Sequence, residues 1–251
     1  MLVDTDSDYQ PVLSWLERAI TPKTRAIVTV SPNNPTGAVY AESVLREINA
    51  LCFDREIYHV TDEAYEYFIY DSAQHFSPCS IPNSQSHTIS LYSLSKAYGF
   101  AGWRIGYLVA PLELQGCLEK IQDTNVICPS NPSQFAALGA LEAGKEYCRP
   151  FIEQLNQTRR IVTNALSGVS DQIELVETKG AFYAFLRFRD QNIDDMELVR
   201  SLIQQHRVAL IPGRAFGVQG ACCLRLSYGA LSLQMVKEGL GRLVQGISYL
   251  T

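Results

Sequence analysis

Three short runs of mostly apolar residues constrain this chain more than any other feature: Ala26 to Val30, Ile57 to Thr61 and Thr88 to Tyr92. The first is apolar without alternation, which suits a strand buried on both faces of a parallel sheet. Each run opens into a polar or turn-forming segment, and Val44, Leu45, Ile48, Leu51 and Cys52 mark a helix after the first. Strand, loop and helix in alternation predict an α/β fold, with right-handed crossovers and helices covering a mostly parallel sheet. Such sheets bind ligands beyond the carboxyl ends of their strands. Asn34, Asp62, Ser93 and Lys96 all fall there.

The flanking segments fill out this pattern. Leu2-Val3 is a short strand candidate, Pro11 to Ile20 a helix, and Ile105 to Ala110 a further strand. Beyond Pro111 the character changes. Helices are expected over Glu113 to Ile121 and Ser133 to Ala143, followed by a long amphipathic helix from Phe151 to near Gly168. Ile173 to Glu177 and Ala181 to Phe188 read as antiparallel strands joined at Lys179-Gly180. Val208 to Ile211 and Cys222 to Leu226 are two more strands, and Met196 to Gln205 is a helix. Leu231 to Leu250 closes the chain with a helix whose apolar face is Val236, Leu240, Leu243, Val244, Ile247 and Leu250. These elements divide the chain into residues 1–155 and a smaller α+β domain, 156–251.

Composition removes several function classes. A net charge of −5 carries no polyanion footprint, which argues against nucleic acid as a partner. No apolar run approaches the ~20 residues of a membrane span, and the acidic N-terminus lacks the regions of a signal peptide. Seven scattered cysteines without a C-x-x-C pair suit a reduced, cytoplasmic chain, and four histidines without ligand spacing argue against a metal.

The segment Ser93 to Tyr107 holds one lysine and one arginine in an otherwise uncharged stretch. A lone lysine among small and aromatic residues can be desolvated, which frees its amine as a nucleophile. Ser93, Ser95 and Arg104 are phosphate-holding residue types. An amine beside a phosphate anchor suggests a Schiff base with pyridoxal 5′-phosphate (PLP). Plainer roles stand beside these: a surface lysine after a strand, and an aspartate capping the Glu63-Ala64-Tyr65 turn. Arg225, in a strand between leucines, calls for a carboxylate partner, which an acid of the chain itself would also provide.

Ser93-Leu94-Ser95-Lys96-Ala97-Tyr98-Gly99, with Gly102-Trp103-Arg104-Ile105-Gly106-Tyr107, resembles the cofactor-lysine signature of the class I/II aminotransferases, the fold-type I PLP enzymes. Ser31 to Gly37, Thr61 to Tyr65 and Leu224 to Ser227 match the same family in order. The resemblance implies an aspartate aminotransferase-like fold and transfer of an amino group between an amino acid and a 2-oxo acid. Lys96 would then link to PLP and act as the base at the substrate α-carbon, and Asp62 would pair with the pyridine nitrogen. Asn34 and Tyr65 would bond the phenolate oxygen, with Ser93, Ser95 and Arg104 on the phosphate. Arg225 and Asn34 would bind the substrate, Arg225 through its α-carboxylate. Ile211 to Gly217 would be a small-domain loop near the substrate mouth, and Phe182, Tyr183 and Phe185 would pack between domains.

The same residues serve C–S lyases and aminocyclopropane-carboxylate synthases. The resemblance also implies a homodimer. It covers only the later part of the family's pattern, because the first strands of the large sheet and a phosphate-binding helix N-terminus would precede Leu2. A sheet edge and apolar surface are therefore expected to be uncovered, and an inactive fragment remains an alternative to the enzyme.

Overall fold

The computed structural model describes residues 1–190 and 192–249. These form two compact units. One comprises Met1, Val3–Asn33 and Val39–Pro150; the other comprises Leu2, Asn34–Ala38 and the chain from Phe151 onward.

The first unit is built on a four-stranded sheet in the order β1 (Ala26–Val30), β2 (Tyr58–Asp62), β3 (Thr88–Ser93), β4 (Gly106–Val109). The first three strands are parallel and β4 returns antiparallel to β3. Helix α1 (Leu13–Ala19) and helix α2 (Glu42–Asp54) cover one face. Leu13, Leu16, Ile20 and Val44 pack there on a buried cluster of Ile27, Ile48, Leu51, Cys52 and Ile57. The opposite face of β1 is open: Val28 is 63% exposed, so this strand is covered on one side and not on the two expected.

A buried polar network crosses the sheet. The Asn49 amide of α2 donates to His59 Nδ1 at 3.2 Å and to Thr88 Oγ1 at 2.8 Å, while His59 Nε2 donates to Thr29 Oγ1 at 3.0 Å. These bonds fix His59 as the neutral imidazole, and burial lowers its pKa to about 4.

The N-terminal expectations need correction. Leu2-Val3 forms no strand; only an isolated bridge joins Thr5 to Pro11. Pro11 is held in that bridge and Val12 is extended, so α1 starts at Leu13 instead of Pro11.

Beyond β4, helix α3 (Leu94–Ala97) having preceded it, come α4 (Gln115–Asn125) and α5 (Asn131–Leu166). Gly144, at φ 65° and ψ −169°, breaks α5, in keeping with the two helices expected there. No residue of β4 or α4 is buried.

The second unit carries an antiparallel sheet in the order β5 (Ile173–Leu175), β6 (Tyr183–Phe188), β8 (Cys223–Ser227), β7 (Ile211–Pro212). It packs with the C-terminal part of α5, α6 (Asp195–His206) and α7 (Leu233–Ser248) around a cluster of buried apolar side chains, among them Leu186, Leu202, Leu224 and Ile247. Asp194 caps α6 by accepting the Met196 and Glu197 N–H groups. At its other end Arg207 is left-handed and the Val208 N–H returns to Leu202, which shortens the strand expected from Val208 to Ile211–Pro212. The expected face of α7 is buried at Val236, Leu240, Leu243 and Ile247; Leu250 lies outside the described residues.

Candidate active site

In the first unit the candidate residues gather at the carboxyl ends of β2 and β3. Val30 is level with Asp62 and Asp62 with Leu91, so Ser93 lies two residues further along β3. Asp62 is half-buried, and its Oδ1 accepts the Ala64 N–H at 3.1 Å. The capping role is therefore real, yet it occupies one site of a carboxylate that can accept several hydrogen bonds. Tyr65 is buried, with its ring edge-on to Phe68 at 6.3 Å between centroids.

Ser93 ends β3 and caps α3, its hydroxyl accepting the Ser95 N–H at 3.2 Å. Lys96 sits on this single turn and is exposed. The desolvation expected for it is absent, because a four-residue helix buries only Leu94. Arg104 is left-handed at φ 55° and exposed, with Nη1 donating to the Ala101 carbonyl at 2.9 Å. Ser95, Lys96 and Arg104 thus share the connection between β3 and β4, with Ser93 at its entry.

Asn34 and Arg225 belong to the second unit. Residues 34–38 are fastened there by the Gly37 carbonyl, which accepts the N–H groups of Lys179 at 3.1 Å and Gly180 at 2.8 Å. Gly37 has φ 73°, and a Cβ on it would lie 2.4 Å from the Thr178 methyl, so this position needs glycine. Seated in this way, Asn34 accepts a 2.8 Å hydrogen bond from Arg225 Nη1 through Oδ1.

The guanidinium carbon of Arg225 lies 4.6 Å from the Tyr183 ring centroid and 5.0 Å from that of Phe216. Arg225 Nε is buried without a hydrogen-bond partner, and among the described residues no carboxylate pairs with this side chain. The internal ion pair is thus not found. A guanidinium held between aromatic faces keeps its charge and a spare donor, the chemistry that can receive a planar anion.

Two groups escaped the sequence reading. Phe185 lies opposite Arg225 across the β6–β8 ladder, which makes Tyr183 its diagonal neighbour. Once that register is known, an aromatic partner for Arg225 follows. The second group surrounds Glu63, whose side chain is 1% exposed. Its Oε1 accepts from Thr61 Oγ1 at 2.7 Å and from Ser77 Oγ at 2.9 Å, and its Oε2 lies 2.8 Å from His75 Nε2. Burial alone would raise this carboxyl, but the hydrogen bonds from His75, Thr61 and Ser77 hold it below the usual range. Nearby Glu66 is pushed up by burial to about 7.

A parallel sheet with aspartate, serine and lysine at its carboxyl ends, followed by an antiparallel unit holding such an arginine, is the aspartate aminotransferase-like fold. The chain belongs to the aminotransferase class I and II family, whose profile matches residues 3–243. It is 36% identical to the probable aspartate/prephenate aminotransferase of Aquifex aeolicus, over 96% of this chain and 62% of that protein. Identity to aromatic-amino-acid aminotransferase 2 of Thermococcus litoralis is 32%, over 95% of this chain and 61% of the relative. Among solved structures, the aromatic aminotransferase of Pyrococcus horikoshii superposes with a TM-score of 0.91 at 31% identity, covering 98% of this chain and 65% of that one. The chain thus spans about three-fifths of the length of the curated relatives it matches.

Proposed function

We propose that this chain acts as a PLP-dependent aminotransferase, moving an amino group between an amino acid and a 2-oxo acid. The observation that carries the reading is Arg225, half-buried between Tyr183 and Phe216, with its buried Nε unpartnered and, among the described residues, the Asn34 carbonyl oxygen as its hydrogen-bond acceptor. A substrate α-carboxylate supplies the planar, bidentate partner that this geometry lacks.

The donor set also fits PLP. Ser93, Ser95 and Arg104 offer hydroxyls and a guanidinium for the phosphate, Asp62 a carboxylate for the pyridine nitrogen, and Asn34 and Tyr65 hydrogen bonds for the phenolate oxygen. Lys96, an exposed residue, would accept and return the proton at the substrate α-carbon. When bound, PLP supplies the electron sink that makes that proton acidic. Residues 1–155 then hold the cofactor-binding part and residues 156–251 the small domain.

Self-association into a homodimer is part of the proposal, supported by the exposed apolar side chains between Trp103 and Tyr147. A cytoplasmic setting is supported by seven free cysteines. No helix among the described residues is long and apolar enough to cross a membrane.

The test is a half-reaction. The chain, loaded with PLP, is mixed with aspartate or with an aromatic amino acid, the substrates in the relatives' names. A change in cofactor absorption that a 2-oxo acid reverses is expected, and Arg225→Ala should abolish it. Release of a fragment of the amino acid, without reversal by a 2-oxo acid, would favour an eliminating enzyme.

A further inference from the structure

We propose that Glu63 and His75 are a positioning pair that fixes Asp62 and Tyr65 in place before any cofactor arrives; the cofactor part of this statement rests on the function proposed above. The hydroxyl chemistry gives the network a direction. Thr61 spends its one proton on Glu63 Oε1, so the 2.8 Å contact between Thr61 and Ser90 is donated by Ser90. Ser77 likewise spends its proton on Oε1, so Tyr92 donates the 3.0 Å bond to Ser77. Every donor points toward one buried carboxylate, with His75 Nε2 on its other oxygen.

Thr61 and Glu63 point to one side of the extended chain and are buried, while Asp62 between them turns to the other side and is only half-buried. Anchoring Glu63 therefore fixes the backbone on either side of Asp62 without occupying its carboxylate. The same anchor reaches β3 through Ser90 and Tyr92, and β3 carries Ser93. The clamp also tolerates a cost: His75 Nδ1 is buried with no hydrogen-bond partner.

The backbone provides a reporter. The Ala64 N–H bonds to the Asp62 carboxylate and the Glu66 N–H to the Glu63 carbonyl, so their exchange with solvent reads the hold on this loop. In the full chain without PLP, His75→Ala should accelerate exchange at Ala64 and Glu66 by about tenfold or more, leaving the amides of β6 and β8 unchanged. His75→Gln, which still offers a donor to Glu63, should restore protection to within about threefold. Glu63→Gln removes the charge but keeps the volume, and should accelerate the same two amides; it decides the case if His75→Ala does not fold.

PLP titration of the same variants should show affinity falling about tenfold in step with lost protection. Unchanged exchange at Ala64 and Glu66 in both Glu63→Gln and a folded His75→Ala would overturn the proposal. Equal acceleration throughout the chain would do the same, since it would mark a general structural role. If the unmodified chain takes up no PLP, the functional reading fails while the exchange data still judge the pair.

Discussion

The two units are held together differently. Among the described residues, eighteen buried apolar side chains form one cluster in the second unit, whereas the comparable cluster in the first has five. Twelve large apolar side chains between Trp103 and Tyr147 are exposed, all in the first unit. What the first unit lacks in apolar packing it partly replaces with buried polar bonds around His59 and Glu63. Six of the eight candidate site residues sit on it. Buried networks of this kind orient groups well but are costly when a partner is lost, so the unit carrying most of the candidate site should also be the more easily perturbed.

Both tryptophans, Trp15 and Trp103, lie in the first unit, which makes their fluorescence its private signal. Urea unfolding should therefore show a fluorescence midpoint below that of far-ultraviolet circular dichroism. Leu224→Ala, at a fully buried site in β8, should cost about 3 kcal/mol in the circular dichroism transition and leave the fluorescence midpoint in place. Coincident transitions that move together would break the comparison.

Acid should act on the first unit. His59 has an ordinary pKa of 6.5 when exposed and about 4 when folded, so the unfolded chain binds the extra proton between those values. Stability contributed by neutral His59 is full above pH 6.5 and falls by about 3 kcal/mol as pH drops toward 4. Glu66 runs the other way: its folded pKa is raised to about 7, so its contribution falls as pH rises from 4.5. The two partly cancel. Glu66→Gln should therefore steepen the rise of fluorescence-detected stability between pH 4.5 and 6.5, and an unchanged slope would count against the half-buried placement of Glu66.

A smaller effect is expected at Gly37→Ala, where a left-handed φ and the Thr178 methyl both oppose a side chain. About 2 kcal/mol should be lost in the second unit's transition, with weaker carboxylate binding at Arg225. Least of all, Leu108→Ala in β4, 44% exposed, should shift either midpoint by no more than about 0.5 kcal/mol.

Most of this architecture is legible in the amino-acid order. The strands β1, β2 and β3 emerge from local apolar runs, and their ends present Asp62 and Ser93 because parallel strands finish on one edge. The α7 face follows from helical period. Features that depend on distant partners are not legible. Pro11 leaves the expected helix because it bridges to Thr5, and Val208 leaves the expected strand because it closes α6. Lys96 was expected to be desolvated by its neighbours in sequence, yet a one-turn helix offers it no cover. Tyr183 required the β6–β8 register, and His75 the return of a loop to Glu63.

The most direct test of the central claim is borohydride reduction of the chain after incubation with PLP, followed by peptide mass analysis. The account predicts one adduct, on the peptide containing Lys96, that disappears in Lys96→Ala. Adducts scattered over the other lysines, or none at all, would contradict it.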